Sequence, residues 1–252
     1  MIKKVEELLI NSDLSMNIIL DNGFLIRCFN IKDRCVINMI DRDRETGDPD
    51  IIKFHAEKLK RIGLDPCYRI IHDSDYEKFD MELVRYGFDI VDRGAVMALK
   101  IENMERELFA FANFYEQGII IESDVSEEWI EDYRDLARLS RGYGDTFQTL
   151  IQSSLDDRMF AVLLQDSRLI GMGYMTFYDQ YMIINNIYVD ERFGKLGYGS
   201  RLLKAMLIKG LLRGCKYAIA DVREEQEFAI KMLVKQGFEV AYNYQLRGKQ
   251  LV

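Results

Sequence analysis

The sequence predicts a mixed α/β fold: a mixed sheet flanked by helices, built from two tandem copies of one unit, the first degenerate. Three observations carry this. Apolar residues make up 48% of the 252 positions, enough for sizeable cores. Apolar runs of strand length alternate with stretches of helical periodicity. The chain also repeats itself at an offset of about 150 residues: Leu83-Val84-Arg85-Tyr86-Gly87-Phe88-Asp89-Ile90-Val91 returns as Leu233-Val234-Lys235-Gln236-Gly237-Phe238-Glu239-Val240-Ala241.

Both copies of that segment read as a helix end, a glycine cap and a strand opening with Phe. Carried backwards, the offset pairs the strand 35–40 with 185–190, the helix 50–62 with 200–212, and the strand 68–71 with 218–221. The second half then reads in order. Gly118 to Glu122 is a short strand. Ser126 caps a helix over 127–140, in which Trp129, Tyr133, Leu136 and Leu139 share a face. A second helix spans 146–155. Strands follow at 159–165, 169–178 and 181–189, a helix at 199–213 with Leu202, Leu203, Met206 and Leu207 inward, a strand at 217–222, a helix at 227–235 and a last strand at 238–246. These boundaries predict a first domain over 1–100, a connector over 101–116 and a second domain over 117–252.

The segment from Arg192 to Ala220 carries the chemical signal. The chain has a formal net charge of -8, yet these 29 residues hold seven bases and no acid: Arg192, Lys195, Arg201, Lys204, Lys209, Arg213 and Lys216. They include Gly194-Lys195-Leu196-Gly197-Tyr198-Gly199-Ser200, shortly after an apolar strand. A helix opens with amides that lack partners and with partial positive charge, and glycine lets an anion approach the backbone. Strand, glycine turn and basic helix together suit a phosphate-bearing ligand. The blander reading, a glycine turn capping an ordinary helix with a solvated basic face, stands beside it. The first copy has Arg44-Glu45-Thr46-Gly47-Asp48-Pro49 at this place. Its carboxylates repel phosphate, and Pro49 has no N–H to donate.

Other chemistries are poorly supplied. Only two histidines occur, His55 and His72, both in the first half, so neither a Ser/His/Asp triad nor a multi-His metal site is expected near the glycine loop. GxSxG, GxxxxGK[ST] and GxGxxG are all absent. Cys28, Cys35, Cys67 and Cys215 form no CxxC pair and read as reduced, mostly buried thiols. Net acidity disfavours nucleic acid. No run has membrane-span length and the N-terminus has no signal-peptide core, so a cytoplasmic protein is expected.

The motif Val189-Asp190-Glu191-Arg192-Phe193-Gly194-Lys195-Leu196-Gly197-Tyr198-Gly199-Ser200, with Ala229-Ile230-Lys231-Met232-Leu233 through Gly237-Phe238 after it, resembles the GCN5-related N-acetyltransferases (GNAT) over roughly 117–252. The first half, with 22–27 and 34–38, looks like the N-terminal domain of tandem bacterial members. The resemblance implies acetyl-CoA as co-substrate and no metal. It implies a cofactor site at Ile187, Tyr188, Val189, Arg192, Gly194, Lys195, Leu196, Gly197, Tyr198, Gly199, Ser200 and Gln226, with the backbone of Ile187 and Val189 pairing with the pantetheine arm. Three positions depart from the family. Gly194 stands where the family has Arg or Gln. Gln226 replaces a frequent Asn. Leu233 replaces the Tyr that protonates the departing thiolate in many members.

Asn185 and Asn186 interrupt an apolar strand and face opposite sides of the sheet. Tyr188 reads as packing, as do Tyr242 and Tyr244, the latter two also being candidates for the missing acid. Asp221 and Glu122, at strand ends, are the weak candidate proton acceptors, each more readily read as a solvated strand-end charge. The leading function is transfer of an acetyl group to the amine of a small molecule or peptide by direct attack. The alternative is a non-catalytic acyl-CoA sensor, and a ligand-free scaffold is a weaker third reading. Oligomeric state is open, a homodimer being one expectation.

Overall fold

The computed structural model describes residues 2–29, 34–40, 49–72, 74–104, 107, 110 and 118–249. The chain divides into two compact units. The N-terminal unit comprises Leu14–Ala95, Arg223–Glu225 and Tyr242–Val252; the C-terminal unit comprises Met1–Asp13, Val96–Val222 and Gln226–Ala241. Most of the connector expected over 101–116 lies outside the described residues; Ile101–Met104 form a single 3-10 turn.

In the N-terminal unit, β1 (Asn17–Asp21) and β2 (Phe24–Phe29) form a hairpin through Asn22-Gly23. Both turn residues have positive φ, 47° and 82°, the geometry that an Asn-Gly pair adopts at little cost. β2 pairs antiparallel with β3 (Arg34–Met39), and β3 pairs parallel with β4 (Asp65–Ile71) across α2 (Pro49–Lys60). α3 (Ser74–Arg85) follows, then the first part of β5 (Asp89–Lys100). The last part of β11 (Glu239–Gly248) lies antiparallel against β4, from Tyr244↔Ile71 to Gly248↔Cys67.

In the C-terminal unit the strands run in the order β5, β10 (Tyr217–Arg223), β9 (Tyr181–Val189), β8 (Arg168–Tyr178), β7 (Asp157–Gln165), β6 (Ile119–Glu122). All neighbours from β6 to β9 are antiparallel, and β9 and β10 are parallel. The helices are α1 (Ile2–Ser12), α4 (Glu127–Leu136), α5 (Arg141–Ser153), α6 (Tyr198–Leu212) and α7 (Glu227–Lys235). Ser126 caps α4 as expected, accepting from the Trp129 amide at 3.0 Å. α4 stops at Leu136, short of the predicted Ser140; Arg138 turns to φ 54° and α5 begins at Arg141, earlier than the expected 146. Periodicity ran on because Leu136 and Leu139 kept the apolar spacing across the break.

The order β-α-β-α-β occurs twice, as β3-α2-β4-α3-β5 and as β9-α6-β10-α7-β11. The closing strand of each copy is shared. β5 gives Val96–Lys100 to the C-terminal unit, and β11 gives its residues from Tyr242 onward to the N-terminal unit. α1, at the very start, also belongs to the C-terminal unit. Cutting the chain at residue 117 would therefore remove α1 and Val96–Lys100 from the unit in which they pack.

Two of the four cysteines are not free thiols. Cys28 and Cys35 are register partners in β2 and β3, with Cα atoms 4.4 Å apart, and they form a disulfide. Direct opposition across two antiparallel strands places the Cβ atoms within bonding reach. A spacing of seven residues without a CxxC gave no warning of this. Cys67 and Cys215 are buried thiols outside any disulfide, and burial pushes the Cys215 thiol up to about 11.

The core of the N-terminal unit is aromatic. Phe24, His55, Tyr68, Phe79 and Phe88 meet mostly edge-on, with centroids 5.2–6.5 Å apart. His55 is fully buried; its Nδ1 lies 3.1 Å from the Tyr68 hydroxyl and its Nε2 has no partner. Burial disfavours the imidazolium and lowers its pKa from 6.5 to about 4. The unfolded chain therefore takes up a proton at higher pH than the folded one. Stability present above pH 6.5 should fall as pH drops from about 6.5 to 4, by up to about 3 kcal/mol. Urea midpoints measured at pH 7.5, 5.5 and 4.5 should show this decline, and His55→Gln, which keeps a group for Tyr68 but does not titrate, should flatten it. An equally steep decline in His55→Gln would assign it elsewhere.

Candidate functional site

The register of the parallel pair β9–β10 runs from Tyr217↔Tyr181 to Ala220↔Ile184 and stops there. β9 continues to Val189 and β10 to Arg223, so the two strands part at their C-terminal ends. Next to this opening β9 has a bulge. Gly173 pairs with Ile187 and Tyr174 with Asn185, leaving Asn186 as the extra residue, at φ 39°. β8 makes room for it. A Cβ on Gly173 would stand 2.8 Å from the Asn186 carbonyl oxygen, and one on Gly171 2.8 Å from that of Tyr188.

Those two carbonyls point toward β8, and the Asp190 amide donates to the Ile170 carbonyl on the same side. Backbone groups alternate along a strand, so the N–H and C=O of Ile187 and Val189 point the other way, into the opening between β9 and β10.

The chain then enters the glycine turn. Asp190 accepts from the Arg192 amide at 2.9 Å and from its Nε at 3.0 Å, which fixes a short 3-10 turn over Glu191–Phe193 and holds the Asp190 carboxyl down at about 2. Arg192 is thereby paired with Asp190. Lys195 at φ 62° and Gly197 at φ 88° are left-handed. Alternation of left- and right-handed residues turns successive amides to one side. Among the described residues the amides of Lys195, Leu196, Gly197, Tyr198, Gly199 and Ser200 have no backbone acceptor. They follow one another into the start of α6, where the helix adds partial positive charge. A Cβ at Gly197 would enter open space, while one at Gly199 would stand 3.1 Å from the Met232 sulfur. Gly197 therefore faces outward and Gly199 packs on α7.

The basic segment is less concentrated than the sequence suggested. Lys209, Arg213 and Lys216 lie at the far end of α6, about 20 Å from its start. Arg213 pairs with Asp157 there. Lys195 lies 4.8 Å above the ring of Phe228, an exposed aromatic that the sequence reading did not single out. The Tyr198 hydroxyl is bound to Gln165, and Gln226 is the N-cap residue of α7.

The candidate proton acceptors separate. Registers through Ile219↔Ile183↔Thr176 place Asp221, two residues beyond Ile219, at the opening and on the face that carries Asn185 and Tyr188. Glu122 is on β6, paired with Phe160, four strands from β10 or about 19 Å away. Leu233 is buried, and Asn185 accepts from Thr176 at 2.8 Å. Tyr242 and Tyr244 belong to the N-terminal unit, where Tyr244 packs beneath the Arg69 guanidinium. In that unit Pro49 opens α2, and 44–48 lie outside the described residues. A cavity of about 500 Å³ lies there between β4, α3 and β11; Asp80, on its wall, accepts from Arg247 at 2.8 Å and from Gln245 at 3.0 Å. Its wall includes Glu77 and His72. No cluster of three or more His, Cys, Asp or Glu occurs among the described residues, and no described helix is long and apolar enough to cross a membrane.

Residues 122–238 match the acetyltransferase (GNAT) family. The fold is the GNAT fold. A GCN5-related N-acetyltransferase from Kribbella flavida has a TM-score of 0.66 at 14% identity, over 99% of this chain and 96% of its own. One from Sphaerobacter thermophilus has 0.65 at 15%, over 90% and 76%. A tandem GNAT protein from the clavulanic acid biosynthesis pathway has 0.67 at 13%, over 89% and 77%. No curated protein matches the sequence.

The bulge depends on the glycines below it. Gly173→Ala would press a methyl against the Asn186 carbonyl, and should cost about 1–3 kcal/mol. Urea unfolding at pH 7.5 should show the loss; wild-type stability would mean that β9 adapts without strain.

Proposed function

We propose that this protein is an N-acyltransferase that moves an acyl group, acetyl first among them, from coenzyme A to an amine, with the active site in the second of two tandem copies and the first copy degenerate. The observation that carries this is the run of six successive amides without a backbone acceptor, Lys195 to Ser200, shortly after a strand whose pairing with β10 stops at Ile184 and leaves an opening in the sheet. A pyrophosphate fits the amides, and an extended amide-bearing arm fits the edge groups of Ile187 and Val189 as an added strand would. Tyr188, Arg192, Gly194 and Gln226 border the same path.

Acetyl-CoA supplies the activated acyl thioester. The chain supplies placement, which for two aligned reactants is the larger part of such a rate. Asp221 is positioned to take the proton released by the amine, directly or through water. Leu233 has no proton to give, and burial removes even a water-mediated role. A thiolate leaves tolerably near neutral pH, so turnover survives this loss, at a cost of about 10²–10⁴-fold relative to a site with a general acid. Leu233 also favours a second reading, a coenzyme A sensor without turnover. In either reading the protein is cytoplasmic and its partners are small amines or peptides, since a net charge of -8 does not suit nucleic acid.

Calorimetry on the full chain should give one coenzyme A site. Gly197→Val, which fills the open approach and strains a residue at φ 88°, should weaken it at least about tenfold, near 1.4 kcal/mol. Lys195→Ala should weaken it by less than about threefold, and more at low salt than at high. Undiminished binding by Gly197→Val would place the phosphates elsewhere. Thiol release from acetyl-CoA with a panel of amines should rise with pH through the range in which the amine loses its proton. Tight binding without release on any amine would select the sensor.

A further inference from the structure

On the face of the sheet opposite α6, the C-terminal unit carries an aromatic assembly that packing of a small core does not demand. Trp129 and Tyr133 of α4 stack at 4.8 Å, and Tyr133 stacks on Phe147 of α5 at 4.8 Å. Beneath them lie Phe160 of β7 and Tyr174 of β8, at 5.0 Å and 6.2 Å from Trp129. Tyr188 of β9 closes the series, edge-on to Tyr133 at 5.4 Å. The inner members are covered, whereas Tyr143 and Tyr188 are only half-buried and Asn186 is exposed. The open side of the assembly thus lies at the bulged end of β9, where the strand leaves β10.

Three features define what this surface would hold. The phenols stay neutral, because burial raises Tyr133, Tyr143 and Tyr174, so they offer ring faces and neutral hydroxyls. Asn186 acts on the Tyr133 hydroxyl in the opposite sense, partly offsetting the effect of burial. The cations nearby are matched by acids: Arg134 by Asp145 at 3.2 Å, Arg138 by Glu191 at 2.6 Å and the covered Arg158 by Asp156 at 2.8 Å. Asp13, whose charge acts on both Tyr143 and Tyr174, and the acids of α4 leave the field negative.

We propose that the acceptor is a primary amine on an aromatic or apolar body, seated against Tyr143 and Tyr188 with its nitrogen toward the bulge at Asn186. This rests on the acyltransferase reading above and supplies the acceptor class that it lacks. Ring faces favour a flat apolar body and attract an ammonium, and the negative field excludes a carboxylate-bearing counterpart.

Trp129 is the only tryptophan in the chain, so its fluorescence reports on this assembly alone. The full chain, with coenzyme A present, is titrated with 2-phenylethylamine, with 3-phenylpropionate (similar body, opposite charge) and with ethylamine (charge without the body). A saturable change with 2-phenylethylamine, at least tenfold weaker with the other two, is expected. Tyr188→Ala and Tyr143→Leu should each weaken it at least fivefold, and Tyr143→Leu, which lies outside the coenzyme A path, should leave coenzyme A binding, by calorimetry, within twofold. Two variants on separate elements keep the test standing if one fails to fold. Equal binding of the amine and the acid, no saturable change with the amine, or unchanged binding in both variants would overturn the proposal. Loss of coenzyme A binding by the wild-type chain would instead remove the reading on which it rests, and calorimetry reports that separately.

Discussion

The incomplete pairing of β9 with β10 is the constraint on which the rest of the site depends. Four register pairs, Tyr181↔Tyr217 to Ile184↔Ala220, hold the strands together, and then they separate. Had the ladder continued, the backbone groups of Ile187 and Val189 would be consumed by β10. Instead a bulge at Asn186, seated over two glycines of β8, bends the strand where the ladder ends. The same departure delivers the chain to Asp190, which ties Arg192 and starts the turn that gathers six amides. An unpaired strand edge and a run of amides without backbone acceptors thus follow from one interrupted ladder.

The two copies show what that arrangement requires. β3 and β4 are parallel like β9 and β10, and α2 and α3 stand in the places of α6 and α7. Yet α2 opens on Pro49, which has no amide to give, and the unit's cavity lies between β4, α3 and β11, lined by His72, Glu77, Asp80 and Arg247 among others. Its interior is organised around an aromatic cluster and a neutral histidine, features that serve stability. β5 and β11 each contribute residues to both units.

Local signals made much of this legible in the sequence. Each element expected in the second half is present, because alternation, helical spacing and the Ser126 cap act over a few residues. The glycine turn was readable because left-handed backbone at Gly197 restricts the residue type. Features that depend on partners distant in sequence were not. Nothing near Cys28 announces that Cys35 lies directly across the ladder, and nothing near β5 or β11 announces that their halves serve different units. The charge count along α6 overstated the anion site because a helix of 15 residues carries its last bases about 20 Å from its first turn. One missed signal was present: Gly171-Met172-Gly173, inside an otherwise bulky strand, marks the close approach of the bulged neighbour. The aromatic face was not legible because its rings come from five separate elements, and only the fold brings them to one place.

Amide hydrogen exchange of the full chain with and without coenzyme A examines the interrupted ladder most directly. Slowed exchange of at least tenfold at Ile187, Val189 and Lys195 to Ser200, with no change across β4 and α3, is the expected result. Protection in β4 or α3 with none at 195–200 would contradict it, since the ligand would then lie away from the opening between β9 and β10.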